Sequence, residues 1–102
     1  MAYIESYSHM VEMTVPEASW DETWFAFQTW KGYLQSFEGL METKLSAYPL
    51  ENGDVRCYIS TYWRYPEQLY AWLESEFSGE DFFEKISPSP YDLEHHILEV
   101  FS

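Results

Sequence analysis

The chain has 102 residues, 46% of them hydrophobic and 21% aromatic, and its formal charge of −13 comes from 18 acidic residues against five Lys plus Arg. That balance argues against nucleic acids and anionic membranes as partners, because binding either draws on Lys and Arg clusters. A single cysteine, Cys57, excludes an intramolecular disulfide, and without a basic-then-apolar leader or a run of ~20 apolar residues the expected location is the cytoplasm.

At this length one domain, 1–102, is expected, burying roughly 65% of its unfolded surface. Five Trp, nine Tyr and seven Phe call for an aromatic core, a subunit contact, an aromatic-lined cavity, or a combination of these.

Residues 7–15 alternate, with Tyr7, His9, Val11, Met13 and Val15 on one parity and Ser8, Met10, Glu12 and Thr14 on the other. Period two predicts a strand, ended by Pro16. Ser19-Trp20-Asp21-Glu22 has the spacing of a capping box, and helical spacing follows to about Phe37. Trp20, Trp24, Phe27, Trp30, Leu34 and Phe37 share one broad arc. Lys31 also falls within it and is expected to snorkel. Phe25 lies off the arc and is a candidate for a subunit contact. Gly39 suits the position just past the helix end.

Two strand-like runs, 40–50 and 55–63, flank Glu51-Asn52-Gly53-Asp54, and Asn-Gly there is a strong hairpin signal. On the second run Val55, Cys57, Ile59, Thr61 and Trp63 alternate with Arg56, Tyr58, Ser60, Tyr62 and Arg64. Cys57 reads as a small buried hydrophobe. Both parities are substantially apolar or aromatic, so the sheet is expected to be covered on both sides.

Pro66 suits a first helical position and opens a helix to about Phe77 that buries Leu69, Trp72 and Leu73. A further short helix is expected over Ser78 to Ile86, presenting Phe82, Phe83 and Ile86. Ser87-Pro88-Ser89-Pro90 reads as a loop. The last strand, 93–101, sets His96, Leu98 and Val100 opposite His95, Ile97, Glu99 and Phe101. The order β-α-β-β-α-β predicts an α+β, ferredoxin-like fold: a four-stranded antiparallel sheet with two helices on one face. A second copy is the simplest cover for the other face, with Tyr58 and Tyr62 at the contact, which predicts a symmetric homodimer.

The hairpin, Trp63, Pro66-Glu67 and Trp72-Leu73 together resemble the antibiotic biosynthesis monooxygenase-like group of the dimeric α/β-barrel superfamily, over about residues 7–101. The resemblance implies a homodimeric α/β barrel. It also implies chemistries that range from cofactor-independent oxygenation of polycyclic phenols to haem degradation. Trp63 matches a Trp that serves the reaction in several such enzymes, and His9 matches by position an Asn of the haem-degrading branch. That branch places an iron-ligating His after the Trp-Leu pair. Here the stretch is Glu80-Asp81-Phe82-Phe83, which speaks against haem.

The candidate site accordingly lies between helices and sheet, with Trp24, Phe27, Trp63 and Trp72 lining a place for a small aromatic ligand. His9 is the polar group, a general base or a donor toward a phenol, and Trp63 orients the ligand through its ring and N–H. His9 and Trp63 are the candidate catalytic pair. Each side chain also has a plainer role as packed core. Neighbours on a strand point to opposite faces, so His95 and His96 are not expected to chelate one ion together. His9 with His96 could approach each other if the first and last strands pair in suitable register, with Glu12 or Glu94 adding a carboxylate, but no spacing motif supports it and neither a metal nor a cofactor is expected. The acids Glu67, Glu74, Glu76, Glu80, Asp81 and Glu84 read as a solvated face. Two functional readings follow: a small-molecule-binding protein acting as a cofactor-free monooxygenase on a phenolic or polycyclic compound, or a non-catalytic dimeric barrel that binds or regulates.

Overall fold

The computed structural model describes residues 3–75 and 85–102. Strand β1 runs Ile4–Val15, and after Pro16 a single 3-10 turn, Glu17–Ser19, leads into helix α1, Trp20–Leu34. The expected capping box does not form. Ser19 occupies the cap position, but its hydroxyl donates to the Pro88 carbonyl oxygen, and no side chain caps the first turn. Ser19 is fully buried, and its hydroxyl is committed to this long-range contact instead of to the first turn of the helix. The stripe that α1 buries is Thr23, Phe27, Trp30 and Leu34, spaced four, three and four. Thr23 can join it because its hydroxyl donates to the Ser19 carbonyl oxygen at 2.8 Å. Trp24 sits at the edge of the stripe, 44% exposed, and Phe25 is 70% exposed.

Gly39 follows the helix with φ +88°, a conformation that strains any residue with a Cβ, and its carbonyl accepts from the Arg64 N–H at 3.0 Å. Strands β2, Leu40–Pro49, and β3, Val55–Trp63, then form the expected hairpin. Within its turn Gly53 has φ +92°, and the Asn52 side-chain oxygen accepts from the Asp54 N–H at 3.0 Å. Asp54 also accepts from the Tyr91 hydroxyl and the Glu17 N–H, which hold its carboxyl below the usual range and tie the hairpin tip to the start of β4 and to the 3-10 turn before α1.

Helix α2, Pro66–Glu74, has Pro66 in its first turn and buries Leu69 and Trp72. Its expected extension to Phe77, most of the expected helix 78–86 with Phe82 and Phe83, and the acids Glu76, Glu80, Asp81 and Glu84 lie outside the described residues. Ile86 is described, and it is buried in the core. Strand β4, Tyr91–Phe101, completes the chain.

The sheet is antiparallel throughout in the order β2-β3-β1-β4. Met13 and Val15 of β1 share the core with Cys57, Ile59 and Trp63 of β3 and with the buried residues of both helices. The two helices thus cover one face, giving the expected α+β ferredoxin-like architecture. Burial pushes the Cys57 thiol up to about 12, as befits a small hydrophobe.

The opposite face differs from the expectation of a mainly apolar surface. Met10, Tyr58 and Tyr62 lie there, but so does a polar chain. Arg56 donates to Glu12 Oε2 at 2.8 Å, and His96 Nε2 lies 2.8 Å from Glu12 Oε1. Among the described residues, no helix is long and apolar enough to cross a membrane.

Candidate functional site

Cross-strand register decides what meets what on the helix-covered face. Tyr7 pairs with Trp63 and His9 with Thr61, so His9 and Trp63 are diagonal neighbours on one face. A polar thread joins them. Trp63 Nε1 donates to Thr61 Oγ1 at 2.9 Å, and that hydroxyl points to the His9 carbonyl oxygen at 3.5 Å.

The other three candidates come from the helices. Trp72 of α2 lies parallel to Trp63, their centroids 6.0 Å apart and their planes at 25°. Phe37 meets Trp63 and Trp72 edge-on. Trp30 tilts against Trp72 at 5.4 Å, Phe27 follows at 6.3 Å, and Trp24 closes the row 6.0 Å beyond it. The structure therefore brings Trp63 and Trp72 into direct contact, both fully buried. Among the described ring contacts Trp24 and Phe27 reach them through Trp30, which the helical spacing places on the arc but not at the site. Regular spacing identified the arc, whereas the ring-to-ring order needed the packing of α1 on α2.

His9 is 3% exposed. Burial first, and then the adjacent His95 ring, lower it to about 4, so the imidazole is neutral near pH 7. Its Nε2 lies 3.3 Å from His95 Nδ1. Its Nδ1 is buried and has no hydrogen-bond partner among the described residues, and the same is true of Trp72 Nε1. Each such atom costs about 1–3 kcal/mol if it stays unsatisfied, so both are places where a ligand's polar atom would gain.

The metal route through His9 and His96 does not exist in this fold. The register pairs His9 with Ile97 and Met10 with His96, which puts His95 on the side of His9 and His96 on the other. Glu12, Glu94 and His96 do gather on that other side, their ligand atoms within 4.8 Å of one another. Both Glu12 oxygens are already engaged, one by His96 and one by Arg56, and these bonds pull its carboxyl down to about 2. The cluster is an ion-pair network anchored on a guanidinium.

Two open hollows lie elsewhere. One, of about 270 Å³, is lined by Lys31, Gln35 and Leu40 to Thr43. The other, of about 400 Å³, is on the uncovered side of the sheet, with Ser6, Lys44, Tyr62 and Val100 among its walls.

No family model matches the chain, and no curated protein matches it either. Solved structures do. A candidate antibiotic biosynthesis monooxygenase from Bacillus cereus superposes with a TM-score of 0.71 at 20% identity, covering 94% of this chain and 93% of that one. The two chains share one fold. A Shewanella oneidensis protein has the same architecture, with a TM-score of 0.75 at 6% identity over 99% and 96% of the two chains. So has MhuD, a haem degrader from Mycobacterium tuberculosis that carries two haems in its active site, with a TM-score of 0.68 at 18% identity over 92% and 94%.

The residues of the present chain do not fit a haem. Its three histidines all stand on β1 and β4. His9 Nε2 is directed at His95, and His96 is held by Glu12 on the far face. None lies on α2 or in the stretch directly after Trp72-Leu73, where the resemblance would place an iron ligand.

Proposed function

We propose that this protein binds a small planar phenolic or polycyclic aromatic compound between its helices and sheet, and oxygenates it without a cofactor. The observation that carries this reading is His9 Nδ1, a neutral imidazole nitrogen buried on the sheet face that carries Trp63, with no partner among the described residues. A phenolic hydroxyl satisfies it, and the indole faces suit a planar ring. The fold shared with a candidate monooxygenase of Bacillus cereus and with a haem degrader supports a small-molecule site.

The chemistry balances without an external reductant if the substrate carries an activated CH2. Two C–H bonds of that carbon break, a C=O forms, and the second oxygen atom leaves as water, so the substrate supplies all four electrons. The protein's part is to accept the first proton, as a general base, and to hold the resulting electron-rich carbanion or phenolate where O2 reaches it. Trp63 and Trp72 orient the ring.

A second reading, a non-catalytic dimeric barrel, draws on one observation: Trp30, Trp63 and Trp72 are almost completely buried in mutual contact. Titration with planar phenols, followed by Trp fluorescence and thermal melting, separates the two. A ligand at 100 times its Kd should stabilise the fold by about 2.7 kcal/mol. No shift in either signal would favour packed core over binding site. With a phenol bearing an activated CH2, His9→Ala should slow oxygen uptake roughly 10²–10⁴-fold, and unchanged uptake would remove His9 from the reaction.

A further inference from the structure

His9 and His95 meet in an unusual way. Their ring planes differ by only 12°, with centroids 5.5 Å apart, while Nε2 of one lies 3.3 Å from Nδ1 of the other. The centroid separation is nearly the N···N distance plus the two ring radii, so both nitrogens lie close to the line joining the ring centres. The rings therefore meet edge to edge in almost one plane. That is the geometry of an in-plane N–H···N hydrogen bond, in which an N–H of one ring points along the lone pair of the other. His9 is buried, whereas His95, on the edge strand β4, is exposed to solvent.

We propose that His95 is a positioning residue that acts through His9, forming with it a two-imidazole relay that carries a phenolic ligand's proton from the buried site to solvent. The proposal rests on the ligand site inferred above. In the resting state His9 Nδ1 is bare and Nε2–H donates to His95 Nδ1. When the ligand O–H breaks, its proton bonds to His9 Nδ1, the Nε2–H bond breaks, and that proton bonds to His95 Nδ1. His9 stays neutral throughout, and the positive charge rests on His95, on the exposed edge strand. Loss of the His95 Nε2 proton to solvent then restores neutrality. Running the path backwards returns a proton to the product and resets both rings.

The relay resolves a difficulty that His9 alone would face. Burial makes a charged His9 unfavourable, which is why its proton affinity is lowered, so a lone buried imidazole is a poor store for the ligand's proton. Passing the proton on removes the charge from the site of low polarity. Thr61 on the neighbouring strand holds the His9 backbone through its hydroxyl, while His95 orients the ring and selects which nitrogen faces the ligand.

Two measurements test this. In the ¹⁵N-histidine-labelled protein, a scalar coupling across the hydrogen bond should connect His9 Nε2 with His95 Nδ1, and its absence would overturn the pairing. The second uses 2-naphthol, whose neutral and anionic forms absorb differently, at saturating concentration and at a pH below its solution pKa. Wild-type protein should hold much of the bound naphthol as the anion. In His95→Gln, where a hydrogen bond to His9 survives but no proton can be taken up, the anionic fraction should fall at least tenfold. An equal anionic fraction in both proteins would show His9 acting alone and overturn the relay, and neutral naphthol in both would overturn the proton role while leaving the binding site intact. Failure of naphthol and other planar phenols to bind the wild type would remove the ligand site itself. The relay falls with it as a ligand device, while the scalar coupling still reports whether the pair exists.

Discussion

His9 is a residue whose burial has a direct consequence for stability. Its folded-state value of about 4 lies below the ordinary 6.5, so the unfolded chain binds the proton more readily. Stability is then complete above pH 6.5 and falls as the pH drops toward 4, a loss on the order of 3 kcal/mol across that window. Chemical denaturation of wild type and His9→Gln at stepped pH should show the decline in the first and a flatter profile in the second. Glu12 works in a separate, lower window. Its carboxyl is held at about 2 by Arg56, His96 and Glu94, so its contribution is present above 4.5 and lost as the pH falls through 2. Replacing Glu12 by Gln should therefore leave the decline between pH 6.5 and 4.5 in place.

Among the elements, the join between α1 and the hairpin depends on backbone shape more than on side chains. Gly39 has φ +88°, and a Cβ built there would fall 1.8 Å from the Gln68 side-chain oxygen on α2. Gly39→Ala combines left-handed strain of about 1–2 kcal/mol with displacement of that buried amide. Thermal melting should register the loss, whereas Gly32→Ala on α1, where an added Cβ meets nothing within 4 Å, should be neutral or slightly stabilising. This element was legible from composition because glycine after an apolar helical run has few other uses. The capping box was not. Its Ser and Glu have the right spacing, but the Pro88 carbonyl that captures Ser19 lies 69 residues away in the chain.

For the whole molecule, both helices lie on one side of the sheet, and Met10, Tyr58 and Tyr62 are left on the other. We propose that a second copy covers them. Sedimentation equilibrium should give about twice the 12.2 kDa chain mass, and Met10→Asp, which places a charge in the middle of that face, should shift the protein toward monomer. A wild-type protein sedimenting as a single chain would overturn the homodimer. The Glu12–Arg56–His96 network on the same face predicts that association depends on salt, since ion pairs at such a surface are screened.

Alternation, turn residues and helical spacing were enough to determine the element order and the helix-facing parity of β1 and β3, because these follow from local geometry and from the need to bury apolar area. His9 and Trp63 could be assigned to one face on the same grounds. Only the tertiary structure decided that His9 meets His95 and that His96 joins Glu12, because a one-residue change in the β1–β4 register would exchange them. Likewise, Trp30 became the link between Trp72 and the rest of α1 only when the two helices packed together. Contacts between elements far apart in the chain depend on register and packing of the whole sheet, and no local pattern carries that information.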